Sequence, residues 1–182
     1  MTARDERTKD TRRALVDAAA ALFAERGYRA TGLVEIADRA GISRGSIPWH
    51  FGDKLGLLDA VLDDRIALLV PDRTGDSPDA LVRVIALLRA PEARLFITLL
   101  AEAVDDESPL RPRCARLHRA LREAAEEHLV AAGLPPGVDP ASAAAVVVGA
   151  VIGVHAQWRV APDAVDPEAL AVVLPALFPL GR

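Results

Sequence analysis

Residues 41–54, GISRGSIPWHFGDK, decide how this chain is read. Gly41 can adopt the left-handed conformation that stops a helix, and Ser43 is a candidate N-cap for a short helix running to about Phe51, before Lys54 opens the next one. Upstream stands ATGLVEIADRAG, residues 30–41. There Thr31 or Gly32 can cap a helix of barely two turns, Glu35 can bond back to its free amides, and Ile36, Ala37 and Ala40 form its apolar side. Still earlier, Leu15, Ala18, Ala19, Leu22 and Phe23 recur at helical spacing between Thr11 and Arg26, with Gly27 placed to end that helix. A longer helix followed by two short ones joined through a glycine turn is the pattern of a helix-turn-helix head, residues 1–55.

Pro48 conflicts with a regular third helix. If the helix starts at Ser43, the missing N–H deprives the Arg44 carbonyl of its partner, and the ring disfavours helical geometry at Ile47. The cost is about 3 kcal/mol in a helix interior. The expectation is a bend or a 3₁₀ turn that leaves residues 43–47 in place and re-aims Trp49, His50 and Phe51.

Around this head the composition is that of an all-α protein. Of 182 residues 51% are apolar but only 4% aromatic, and thirteen prolines with twelve glycines cut an Ala-, Leu- and Val-rich chain into helix-sized lengths. A fourth helix opens at Lys54, with Leu58, Val61, Leu62, Ile66 and Leu69 on one side, and ends before the linker-like PDRTGDSPD, residues 71–79. Further helices are expected near residues 78–89, 91–103, 109–132, 140–159 and 167–178, each with a proline near its first turn. Residues 56–182 therefore read as a helical-bundle body.

Charge is unevenly divided. The formal net charge is -4, but residues 1–55 carry ten Lys/Arg against eight Asp/Glu and the remainder twelve against eighteen, so a +2 head precedes a -6 body. A single cysteine, Cys114, leaves no intramolecular disulfide and no cysteine zinc framework, which fits a reducing cytoplasm. The N-terminal apolar run is interrupted by Asp17 and does not read as a signal peptide. The most apolar segment, residues 141–158, is short for a membrane span and reads as a buried or interfacial helix. No phosphate loop, paired His/carboxylate metal motif or nucleophile elbow is present, and the four histidines are scattered, so no enzyme and no cofactor is expected.

TRRALVDAAAALFAERGYRATGLVEIADRAGISRGSIPWHFGDKLGLLDAV, residues 11–61, resembles the tetracycline-repressor (TetR) family of transcriptional regulators. The resemblance rests on Gly27-Tyr28, Thr31, Ile36-Ala37, Ala40-Gly41, Ser43 and His50-Phe51 followed by Lys54. It implies a homodimer whose third helices enter the major groove of a palindromic double-stranded operator, and a body that binds a small-molecule effector and releases the DNA. The family's usual tyrosine, whose hydroxyl touches a phosphate, is replaced here by Pro48.

For base recognition Arg44 is the leading candidate, since a guanidinium can pair with guanine O6 and N7. Gly45 can admit the DNA closely and Ser46 can bond a base or phosphate, unless these small residues merely suit a tight turn or Ser46 itself caps a helix starting at Ile47. Ser43, Trp49 and His50 are candidate DNA contacts, although packing between helices explains Trp49 and His50 as well; Lys54 and Thr31 are candidate phosphate clamps, and Lys9, Arg12 and Arg13 candidate flanking contacts. Capping explains Thr31 equally well. In the body, Gly149 and Gly153, with Trp158 nearby, mark a helix face for dimerisation together with the last helix, DPEALAVVLPALF, residues 166–178, unless these faces are ordinary core within the chain. Cys114 and His118, four residues apart, could suit a metal or a redox thiol but more simply pack. Glu102, Asp105, Asp106 and Glu107 could hold a cation but read more simply as a solvated helix end. The apolar side chains available to an effector are Leu87, Leu88, Leu95, Phe96, Leu99, Leu100, Leu117 and Leu121. The competing function is a helical protein-interaction module without operator binding.

Overall fold

The computed structural model describes residues 3–69 and 91–166, with Ala169 and Val173, and among these every regular element is a helix. The helices are α1 (Ala3–Arg26), α2 (Leu33–Ala40), α3 (Ser46–Phe51), α4 (Lys54–Leu69), α5 (Pro91–Ala103), α6 (Arg111–Ala132) and α7 (Pro140–Val160). The helices expected near residues 78–89 and 167–178 lie outside the described residues.

Packing divides the chain into two compact units: residues 1–67 with 94–114, and residues 68–93 with 115–182. The first unit takes in more than the head read from the sequence. α1 starts at Ala3, eight residues earlier than its apolar periodicity indicates. That added segment is polar and has no buried stripe to reveal it, but it consists mostly of good helix formers and places Asp5 and Glu6 against the positive end of the helix dipole. Leu15, Val16, Ala18, Ala19, Leu22 and Phe23 are buried, together with Ile36 and Ala37 of α2, Ile47 of α3, and Leu57, Leu58, Val61 and Leu62 of α4. Gly27 ends α1 at φ +86°, donating its N–H to the Phe23 carbonyl at 3.0 Å.

At α2 the cap is Gly32, whose N–H donates to Glu35 Oε2 at 2.8 Å. Glu35 also pairs with Arg26 at 2.6 Å, and Arg39 of α2 pairs with Glu25 at 2.9 Å. These pairs are half exposed, so they fix the angle of α2 on α1 more than they stabilise it. Gly41 ends α2 at φ +66°. Asp53 caps α4, its Oδ1 accepting the Gly56 N–H at 2.8 Å. Gly56 permits the tight α3–α4 turn, because a Cβ there would stand 2.0 Å from the Phe51 carbonyl oxygen.

α5 joins the head through one polar stripe. Arg94 Nε donates to the Ala24 carbonyl at 2.9 Å, Thr98 lies against the same carbonyl, and Glu102 accepts the N–H groups of Tyr28 at 2.7 Å and Arg29 at 2.9 Å. Residues 94, 98 and 102 are spaced by four and thus share a helix face. They satisfy groups that the end of α1 leaves without intrahelical partners. Arg113, at the start of α6, pairs with Asp59 of α4 at 2.8 Å.

In the second unit α7 is capped by Asp139, which accepts both the N–H and the hydroxyl of Ser142, with Pro140 in the first turn. Ala144, Val151 and His155 are its buried positions.

Candidate nucleic-acid interface

The third helix begins at Ser46, two residues later than a Ser43 cap requires. Residues 43–45 form the turn that leads into it: Ser46 N–H donates to the Ser43 carbonyl at 3.0 Å and Ile47 N–H to the Arg44 carbonyl at 3.3 Å. Pro48 is consequently the third residue of the helix. Its missing N–H is one of the four that have no intrahelical acceptor in any helix, and the interior penalty does not arise. Of the two expected outcomes the 3₁₀ turn is the one found, in the i→i+3 bonds of Ser46 and Ile47, and the Pro48 carbonyl accepts the Gly52 N–H at 2.9 Å. Ser43 is not the N-cap either; its hydroxyl lies 3.1 Å from that of Ser46, and Gly45 holds the cap position.

Ile47, fully buried, anchors α3 in the head, while Ser43, Arg44, Gly45, Pro48 and Trp49 are exposed. Positions 44, 45, 48 and 49 lie on one side of the turn and helix. Arg44 forms no ion pair among the described residues, in contrast to Arg26 and Arg39 behind it. Gly45 has φ -65°, and a Cβ there would meet nothing within 4 Å, so neither turn geometry nor packing requires glycine at this position. Trp49 is 71% exposed, its ring edge-on to His50 with centroids 4.4 Å apart. His50 is half exposed, and burial, with a smaller contribution from the Arg12 cation, holds its pKa below the ordinary histidine value. Arg12 itself lies over the Phe51 ring at 5.3 Å, so α1 supports the end of α3.

Two expected phosphate clamps are placed differently. Thr31 is 1% exposed; its hydroxyl donates to the Gly27 carbonyl at 2.7 Å and its N–H to the Tyr28 carbonyl. Both donors are used inside the head, so Thr31 finishes α1 and the clamp reading is withdrawn. Lys54 sets its ammonium 4.2 Å from the centre of the Tyr28 ring, and burial lowers its pKa against the opposing pull of Glu102 and Glu35. A phosphate would have to draw it from that seat. Tyr28 in turn packs on Phe23 at 5.4 Å.

Tyr28 and Glu102 complete the support of this surface. The reading of Glu102 as a solvated helix end is corrected, since its carboxylate closes the α1–α2 turn. Asp105 pairs with Arg29 at 3.5 Å and Asp106 with Arg111, so these acids are committed to cations of the protein. Nothing local in the sequence announces a partner more than seventy residues away; the only nearby signal is Gly27, where a Cβ would stand 2.0 Å from Glu102 Oε1.

Elsewhere, Cys114 is buried and its thiol is pushed up to about 11, chiefly by burial, so it packs rather than senses oxidants. Among the described residues no group of three or more His, Cys, Asp or Glu could hold a metal ion. Of the apolar side chains available to an effector, Leu95, Phe96, Leu99 and Leu117 are buried, Leu100 and Leu121 partly exposed, and Leu87 and Leu88 lie outside the described residues. An open depression beside α6 is lined by Glu123, Glu126, Glu127 and Val130. On α7, Gly149 is exposed and Gly153 half exposed, and a Cβ at either would meet nothing within 4 Å. Val146 and Val160 are also exposed, and Trp158 lies edge-on to His155 at 5.4 Å. By length and composition α7 is apolar enough to cross a membrane.

Residues 15–61 match the family described as "Bacterial regulatory proteins, tetR family". The chain is 33% identical to the uncharacterized HTH-type transcriptional regulator TtgW of Pseudomonas putida, over 66% of this chain and 90% of that protein. It is 28% identical to the HTH-type transcriptional regulator TtgR of the same species, over 88% and 86%. A solved complex of SmeT with triclosan has a similar fold, with a TM-score of 0.74 at 26% identity, covering 92% of this chain and 91% of that one.

Proposed function

The chain belongs to the TetR family of DNA-binding transcriptional regulators, and on that premise we propose a homodimeric repressor that leaves a palindromic operator when a small, partly apolar effector binds. Residues 1–55 read the DNA; residues 56–182 hold the effector and dimerise, in a cytoplasmic protein. The observation that carries this reading is the exposed face at positions 44, 45, 48 and 49. It presents a guanidinium without an ion pair among the described residues, beside a glycine that the fold does not need.

Arg44 pairs with a guanine edge, and Gly45 lets the backbone come close to the bases. Ser43, Ser46 and His50 line the phosphates and sugars, with Lys54 at the margin, and Trp49 faces the DNA from the exposed side of α3. Dimerisation uses α7. Its open positions at Gly149 and Gly153, next to exposed Val146 and with Trp158 further along, offer a second copy an apolar surface with room for close helix contact.

SmeT binds triclosan, a small, largely apolar molecule; an effector of similar character is the reading for this chain. It releases DNA only if it favours the state that does not bind DNA. The Arg113–Asp59 pair ties the first turn of α6 to α4, a hold through which tilting of α4 changes the separation of the two heads. A module without DNA binding drew some support from Pro48 as a break in the reading helix, and the position of Pro48 in the first turn of α3 weakens that support. Selection from a random duplex pool tests the proposal: an enriched inverted repeat supports it, and an unenriched pool at low salt rejects it.

A further inference from the structure

We infer that Pro48 and Trp49 read the 5-methyl group of a thymine, so that each operator half-site pairs a guanine taken by Arg44 with a thymine recognised by apolar contact; this rests on the operator-reading function proposed above. Along the exposed side of α3 the hydrogen-bonding groups are few. The Ser43 and Ser46 hydroxyls face one another at 3.1 Å. Pro48 carries neither N–H nor hydroxyl and is exposed in the first helical turn. Trp49 is 71% exposed, and its contact with the His50 ring, at 4.4 Å between centroids, braces the indole from one side only.

An exposed tryptophan beside an exposed proline is an apolar surface that the His50 ring covers on one side only. In the major groove the matching apolar feature is the thymine methyl, which distinguishes T·A from the other pairs. Gly45, one turn before Trp49, removes the side chain that would hold this surface away. Arg44 and Pro48 are also one turn apart. A turn rises about 5.4 Å and a base step about 3.4 Å, so the thymine lies within one or two steps of the guanine.

The test replaces each thymine of a duplex selected from the random pool, one at a time, with uracil, which deletes only the methyl. The wild-type dimer is expected to lose about fourfold in affinity at one or two positions of each half-site, the effect of uncovering one methyl. Trp49→Ala and Pro48→Ser proteins should bind thymine and uracil duplexes alike at those positions. Both side chains are exposed, so circular-dichroism melting should show the variants folded.

Equal wild-type affinity for every uracil duplex overturns the inference and assigns the indole to the sugar–phosphate backbone. Uracil sensitivity that survives in both variants also overturns it. If no duplex is selected at all, the operator-reading proposal fails and this inference falls with it, an outcome distinct from binding that ignores the methyl.

Discussion

Arg44 and His50 are the residues whose chemistry can be checked singly. An Arg44→Ala protein should lose roughly 1–3 kcal/mol of operator affinity, concentrated at one base pair. Its melting temperature should hardly move, since the side chain makes no ion pair among the described residues. Titrated by NMR, His50 should show a midpoint below the ordinary 6.5, because burial and then Arg12 disfavour its charged form. Removing the cation with Arg12→Gln should raise that midpoint without restoring it fully, burial being the larger cause. The sign of the linkage follows: the unfolded chain takes up this proton more readily, so the contribution of His50 to stability is present above about pH 6.5 and is lost as pH falls through that value toward the folded pKa. Recovery of 6.5 in the native protein would mean that the ring is not enclosed as described. Arg44, Trp49 and His50 were legible as candidates because they follow a turn signal. Thr31 was not, since nothing local distinguishes a threonine that caps carbonyls inward from one that faces solvent.

Among the elements, the two short helices and the turns around them show what glycine does in this fold. Gly56→Ala forces a Cβ onto the Phe51 carbonyl and should destabilise the protein by about 1–3 kcal/mol, measured by chemical denaturation. Gly45→Ala meets open space and should leave stability within about 0.5 kcal/mol while weakening operator binding. A loss of stability at Gly45 would show that the turn, not the DNA, requires glycine there. Glu102→Ala deprives two backbone amides of their acceptor and should cost about 1–3 kcal/mol. The sequence showed α2, its glycine cap and the apolar side of α1 directly, through capping chemistry and helical period. It misplaced the start of α3, because Ser43 suits a cap as well as a turn, and that misplacement alone turned Pro48 into a kink. Glu102 could not be foreseen: its partners are the amides of residues 28 and 29, which any carboxylate brought there by the fold could satisfy.

For the whole molecule, dimerisation and DNA reading are coupled claims. Gly149→Arg on α7 should shift the protein toward monomer in sedimentation velocity and weaken binding to a full inverted repeat more than to a half-site. An unchanged sedimentation coefficient would move the interface elsewhere. The head was readable from a dense run of local signals, whereas the body was readable only as helices, since long-range packing fixes which apolar side chains line a cavity and which fill the core. The most direct measurement is the affinity of the wild-type protein for its selected duplex relative to a shuffled duplex of the same length and composition, at physiological salt. A ratio of about 10³ or more is expected of a reading head with an unbroken third helix; a ratio near one would show that α3 contacts DNA through charge alone and that its exposed face does not read sequence.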